Sequence, residues 1–418
     1  MSSQNDSEGY VLPSLWNEDA GEVSAVDWTS QRRDEILQLY SRHIYGVTPE
    51  GGAAMFKVEA DEVGLLGGQA RRLQIKVDVT GPLGVRALSL LLYVPMTATE
   101  ENPAPVFLGL NFEGNHTTTL EGGIPASHAP GTGIVAKRGA QRHRWAYQLA
   151  VSRGYAVATV HYAEIEPDVA GAAAAGVRGI FDNDEMLAQH RDPEAWGAIG
   201  AWAWGLSRIL DVLREIPEID GNGVIVFGHS RLGKAALWAA AQDQRFAAVI
   251  ANASGCGGAS LFRHKSGEDV AAITTRFPHW FARGFDFYQN AEADLPTDQH
   301  QLLSALAPRP VHIASARGDL WADPRGEFLA TLHASPIFEL FGHSGTLPAG
   351  MVRAGCDVPA EVARKVPLPL NSSRVGARLS YHIREGGHDL LVGDWVRFLE
   401  FADESRGIPR AAFGEFHD

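Results

Sequence analysis

Gly223-Val-Ile-Val-Phe-Gly-His-Ser-Arg-Leu-Gly-Lys-Ala-Ala-Leu237 joins a short β-branched run directly to an Ala-rich one through Gly228-His229-Ser230-Arg231-Leu232-Gly233. A strand passing straight into a helix at a serine is the context of a nucleophile elbow. The sharp turn lifts the hydroxyl above the sheet, and the next backbone N–H faces an incipient oxyanion. Small residues are needed where strand and helix backbones approach closely. The usual G-x-S-x-G spacing is not met, since Leu232 stands at the second glycine and Gly233 follows one place later. The plainer alternative is that Ser230 caps the helix that follows it.

Outward from this turn the chain keeps alternating. Ala70–Val79 and Arg86–Val94 read as an antiparallel pair around Gly81-Pro82-Leu83-Gly84, and Pro105–Leu110 and Tyr155–Val160 read as short buried strands. Ala140–Arg153 is expected to be a helix stopped by Gly154, and Trp196–Arg214 carries apolar residues at helical spacing. After the elbow strand Gly223–Phe227 and helix Leu232–Ala241 come strand Ala247–Ala251, strand Pro310–Ala314 and helix Glu327–Ala334. Strand Leu379–Ile383 and helix Val392–Ser405 complete the series. Gly122–Gly133 and Gly345–Pro369 read as loops. This pattern predicts an α/β fold, a three-layer sandwich around a mostly parallel sheet. Residues 1–9 are expected to be a flexible segment and 10–418 one catalytic domain.

A serine nucleophile needs a base, and the base needs an orienting acid. His388 lies in Arg384-Glu-Gly-Gly-His-Asp, after a strand and before the last helix, where two glycines permit a backbone excursion. His382 sits within an alternating strand and reads as a sheet side chain. For the acid, Asp319 lies closest to the end of the strand Pro310–Ala314. Asp323, before Pro324, reads better as a turn or cap residue.

The 418 residues carry 36 Lys+Arg against 50 Asp+Glu, a net charge of −14, with no basic run. That argues against nucleic acid and anionic membranes as partners. No apolar run approaches the ~20 residues of a membrane span, and the polar start lacks the signature of a secretory signal. Two cysteines, Cys256 and Cys356, leave their pairing open. Histidine spacing suggests no metal site, and no cofactor is expected.

Together with Trp196-Gly-Ala-Ile-Gly-Ala-Trp-Ala-Trp-Gly, Gly109-Leu-Asn-Phe-Glu-Gly-Asn-His, Ser254-Gly-Cys-Gly-Gly, Phe277-Pro-His-Trp-Phe and Asp319-Leu-Trp-Ala-Asp-Pro, the elbow resembles carbohydrate esterase family 15, the glucuronoyl esterases, particularly bacterial members. The resemblance implies an α/β-hydrolase fold and cleavage of esters between 4-O-methyl-glucuronic acid on xylan and lignin alcohols. It maps the nucleophile to Ser230, the base to His388 and an oxyanion-supporting arginine to Arg231. It also implies sugar contacts from Lys234, and a glucuronate pocket lined by Glu268 and Trp321. Many members carry the triad acid as a glutamate just after the strand following the elbow, where this chain has Asn252-Ala253-Ser254. Some bacterial members use an aspartate after the next strand, which agrees with Asp319. The expected partner is glucuronoxylan or a small uronate ester, and the protein is expected to be a monomer. Rival readings are an acetyl xylan or feruloyl esterase, and a catalytically weak carbohydrate-binding relative.

Overall fold

A computed structural model describes residues 9–16, 24–127, 135–182, 192–369, 373–375 and 378–408. The expected flexible segment lies outside these residues except for Gly9, as does the second half of the loop Gly122–Gly133.

Among the described residues, ten strands form one sheet in the order β1-β2-β3-β5-β4-β6-β7-β8-β10-β9. They are β1 Ala53–Gly64, β2 Ala70–Gly81, β3 Gly84–Pro95, β4 Ala104–Asn111, β5 Ala156–His161, β6 Ile219–His229, β7 Ala248–Asn252, β8 Val311–Ala316, β9 Ser373–Val375 and β10 Leu379–Arg384. From β5 through β10 the strands of the sheet's centre run parallel. β1, β2 and β3 pair antiparallel at one edge, and β9 pairs antiparallel to β10 at the other.

β4, β5 and β7 are buried along their length apart from Pro105, which is why they read as continuous apolar runs. Two apolar layers cover the sheet. One packs the helices Ala198–Leu213 and Arg231–Gln242 through Ile199, Trp202, Leu206 and Trp238. The other packs Val392–Ser405 through Trp395, Phe398 and Leu399 against Phe107, Ile225 and Phe227. This is the α/β-hydrolase architecture expected.

The hairpin turns at Gly81-Pro82-Leu83-Gly84 as expected, with Gly81 paired directly to Gly84 and the strands running up to the turn itself. Two elements differ from expectation. β1 was not foreseen, because its residues are mostly exposed and show no apolar alternation. Ala140–Arg153 is not one helix: a 3₁₀ turn at Arg142–Arg144 precedes the helix Tyr147–Ser152. The break is at Trp145, whose extended backbone lets its ring pack on Phe227 at 5.5 Å and on Tyr147 at 5.7 Å. Tertiary packing outweighs helix propensity there. Cys256 is buried and Cys356 exposed, both as free thiols. Among the described residues, no helix is long and apolar enough to cross a membrane.

Candidate active site

β6 ends at His229 and the next helix begins at Arg231, so Ser230 forms the whole connection. Its φ of 57° and ψ of −129° are strained for a residue with a Cβ. A Cβ on Gly228 would lie 2.1 Å from the Leu232 carbonyl oxygen, so this close crossing requires glycine. Leu232 is 1% exposed and points into the core. Its side chain is thus accommodated where the commoner motif has glycine.

Ser230 occupies the cap position but makes no side-chain cap hydrogen bond. Its Oγ instead lies 2.9 Å from His388 Nε2. On the other side of that ring, Nδ1 lies 2.5 Å from Asp319 Oδ2. A carboxylate only accepts, so Nδ1 carries the proton and Nε2 is free to accept from the serine. Serine, imidazole and carboxylate are therefore in line, as acyl transfer through a serine requires.

The Asp319 and His388 loops meet at Gly318. Its N–H donates to the Gly386 carbonyl at 2.8 Å, and a Cβ there would lie 2.6 Å from that same oxygen. Asp323 is elsewhere. It caps the helix Pro324–Leu340 through Gly326 N–H and accepts from His264 and Ser260. Of the two aspartates weighed from the sequence, Asp319 lies against the His388 ring and Asp323 against His264.

Next to His388, His229 is buried with Nδ1 2.6 Å from Asn252 Oδ1, and the two rings lie 4.6 Å apart. Burial, and then the nearness of His388, lowers its pKa to about 3. It is a neutral wall and does not compete for the proton.

The amide of Arg231 is first in its helix and has no intrahelical acceptor. The Arg231 guanidinium lies over the Trp280 ring at 4.8 Å, with Phe277 at 5.5 Å and Phe112 at 5.8 Å. Nη1 is bonded to Asp168. Asp168 also accepts from Trp280 Nε1 at 2.6 Å, His279 Nε2 at 2.8 Å and Tyr162 Oη at 3.2 Å. Burial raises the Asp168 pKa, but the His279 bond and the Arg231 charge outweigh it and bring it to about 2. Arg231 Nε is buried without a partner. The cation next to the serine is thus fixed by one ionised carboxylate and three rings. Sequence reasoning missed Asp168 altogether. The segment Phe277-Pro-His-Trp carried the signal but without a role.

Lys234 is 4% exposed, and its Nζ donates to the Ser254 and Cys256 carbonyls. Burial lowers its pKa, opposed first by the Glu268 charge. Glu268 is half-buried, and its N–H donates to the Trp321 carbonyl at 2.9 Å. Trp321 is 53% exposed. The structure therefore gathers Lys234, Glu268 and Trp321 about one loop, with the lysine turned to backbone carbonyls. Among the described residues, no cluster of metal-ligating side chains occurs.

Beneath that loop lies a carboxyl the sequence did not single out. Glu327 is fully buried and accepts from Ser254 Oγ, Gly255 N–H and Ser315 Oγ at 3.1, 2.9 and 2.5 Å. Burial pushes its pKa to about 7, against those hydrogen bonds. A carboxyl pKa raised on folding stabilises the fold fully below its unfolded pKa. That contribution is lost as pH rises through about 7. Glu327→Gln keeps the shape without the titration. It is expected to remove a pH-dependent loss of stability of up to about 3 kcal/mol between acid and pH 8. Denaturant unfolding of both proteins across that range measures it, and parallel curves would rule the effect out.

A family model for fungal glucuronyl esterases matches residues 135–342. A carbohydrate esterase from an unknown prokaryotic organism is 39% identical over 411 residues, covering 94% of this chain and 89% of that protein. The structure of the glucuronoyl esterase from Solibacter usitatus is 38% identical, with a TM-score of 0.83, covering 95% of this chain and 98% of that one. The glucuronoyl esterase of Sporotrichum thermophile, solved in complex with methyl 4-O-methyl-beta-D-glucopyranuronate, is 20% identical with a TM-score of 0.60. The match covers 94% of this chain and 86% of that one, and is a likeness of fold. The chain accordingly belongs to carbohydrate esterase family 15, the glucuronoyl esterases, and is a carboxylic ester hydrolase acting on esters of uronic acids.

Proposed function

We propose that this chain, as one catalytic domain over residues 10–418, cleaves esters of 4-O-methyl-glucuronic acid on xylan with lignin alcohols, by two-step acyl transfer. The observation that carries the reading is the His388 ring, bonded to Ser230 Oγ at 2.9 Å and to Asp319 at 2.5 Å. His388 Nε2 takes the Ser230 proton as Oγ attacks the ester carbonyl. The resulting oxyanion is met by the Arg231 amide N–H and by its guanidinium. Preorganised donors of this kind each lower the barrier by on the order of 3 kcal/mol. Asp319 stabilises the imidazolium, which then protonates the departing alcohol. Water repeats the cycle on the acyl-enzyme, releasing the uronate.

Arg231 has a physical rationale beyond the family. A cation in the first turn of a helix is disfavoured by the helix dipole. It is held there by Asp168 and the aromatic rings, beside the atom at which negative charge develops. Lys234, Glu268 and Trp321 form the sugar side of the site in this reading, with the exposed Trp321 face offered for stacking. The methyl uronate ester bound by the Sporotrichum thermophile enzyme supports the acyl group assigned.

The test is a comparison of benzyl glucuronate with an acetyl ester. A site built around polar sugar contacts is expected to favour the glucuronate in kcat/KM by roughly 100-fold or more. A preference for the acetyl ester would instead favour an acetyl xylan esterase and overturn the acyl assignment. Absence of turnover on either ester would favour the carbohydrate-binding alternative.

A further inference from the structure

Arg384 closes β10, and the catalytic loop Glu385–Asp389 leaves from it. Its guanidinium reaches over that loop. Nη1 donates to the Glu385 carbonyl at 2.9 Å. Nη2 donates to the Gly387 carbonyl at 3.1 Å and to the Asp389 carbonyl at 2.5 Å. One nitrogen thus holds the backbone on both sides of His388.

The remaining guanidinium nitrogen, Nε, donates to Asp394 Oδ2 at 2.9 Å. Asp394 lies fully buried in the first turn of the last helix, and the same oxygen accepts the Leu391 N–H at 2.8 Å. Its other oxygen lies 2.9 Å from His382 Nε2. Behind it, His382 Nδ1 lies 2.7 Å from His312 Nε2, and His312 Nδ1 lies 2.6 Å from Ser380 Oγ.

Asp394 only accepts, so His382 carries a proton on Nε2 and donates it to that carboxylate. Every ring nitrogen of the row has a partner. The row crosses from β8 to β10, which pair parallel in this register. Buried polar rows of this kind add little net stability over apolar packing, but they fix one geometry when fully satisfied. The geometry fixed here is that of Arg384.

We propose that Arg384, oriented by the buried row Ser380–His312–His382–Asp394, is a positioning residue that holds the His388 loop in register with Ser230. The inference rests on the reading of His388 as the base. The loop needs such a clamp because Gly386, at φ 98°, and Gly387 leave its backbone free to move. A displacement of His388 by about 1 Å is enough to cost on the order of 100-fold in rate.

Arg384→Ala is expected to lower kcat about 100-fold with KM within about threefold. Millimolar guanidinium should restore part of that loss, because the free cation fits the vacated fork. It should do nothing for the wild-type chain or for Arg317→Ala, whose exposed guanidinium pairs with Glu385 in the same loop. Arg384→Lys keeps the charge but not the fork, and should fall between the two. Thermal melts establish that each variant is folded. The assay uses whichever of benzyl glucuronate and an acetyl ester the wild-type chain turns over, so the result does not depend on the acyl assignment. A folded Arg384→Ala with unchanged kcat overturns the proposal, as does a loss that guanidinium leaves untouched. If Arg384→Ala does not fold, Arg384→Lys decides, and unchanged kcat in it is the overturning result. Ser230→Ala is assayed alongside. Activity retained in that variant would remove the reading of the site itself, separately from the clamp.

Discussion

Ser230→Ala is expected to lower kcat by roughly 10⁵- to 10⁶-fold, with the fold retained. The backbone at this position is strained whether or not an oxygen is present, because the φ of 57° is imposed by the crossing of β6 over its helix. Alanine inherits that conformation with the same Cβ. The hydroxyl caps nothing, so its removal breaks no helix-end bond. What is lost is the atom facing His388 and, with it, the covalent step. Some rate over water should remain from the Arg231 donors, which the substitution leaves in place. His388→Ala should cost about as much, and the double variant little more, because the two residues act as one unit. The measurement is single-turnover kinetics on benzyl glucuronate with protein freed of wild-type traces. Additive losses, or a Ser230→Ala variant within tenfold of wild type, would refute the assignment.

The reach of the sequence follows the range of the interactions. The elbow is local: an apolar strand, one serine and an Ala-rich helix lie within fifteen consecutive residues, so its geometry is written where it can be read. Asp319 and His388 are distant in sequence, but each stands just past a legible strand at the sheet's carboxyl edge, where ligands of such folds gather. Position alone therefore picked them out. Asp168 had no such marker. It lies in an irregular segment after β5, and only the folded chain brings it to Arg231, His279 and Trp280.

Glu327 and Asp394 were hidden for a related reason. A carboxylate within a helix reads as a solvated charge, and nothing local says that these two are fully buried. His382 was legible as a sheet residue because alternation exposes side-chain direction. Its partner His312 was not, since which strand lies next to β10 is a matter of topology. The same limit explains β1. Its edge position leaves it mostly solvated, so the alternation that marks a half-buried strand is absent.

Asp319→Asn and Asp323→Asn are expected to separate completely. Asp319 is 6% exposed and faces the protonated nitrogen of His388 at 2.5 Å. An amide there can turn its NH₂ toward the ring and draw the proton to Nε2, the nitrogen that must accept from Ser230. The wrong tautomer and the loss of a negative charge beside the imidazolium together cost on the order of 10⁴-fold in kcat in serine hydrolases. KM should change little, since Asp319 does not touch the acyl group in this reading. Asp323→Asn leaves the ring untouched. Asparagine still caps the helix Pro324–Leu340 through its amide oxygen, but its NH₂ cannot accept the bonds from both Ser260 and His264, a loss of about 1 kcal/mol in stability. Its kcat should stay within a few-fold of wild type while its melting temperature falls. The reverse pattern would mean that the acid is Asp323 and that the chain rearranges before it reacts. Equal, modest effects of both would leave His388 without an orienting acid. The clamp at Arg384 would then be the main means of holding the base.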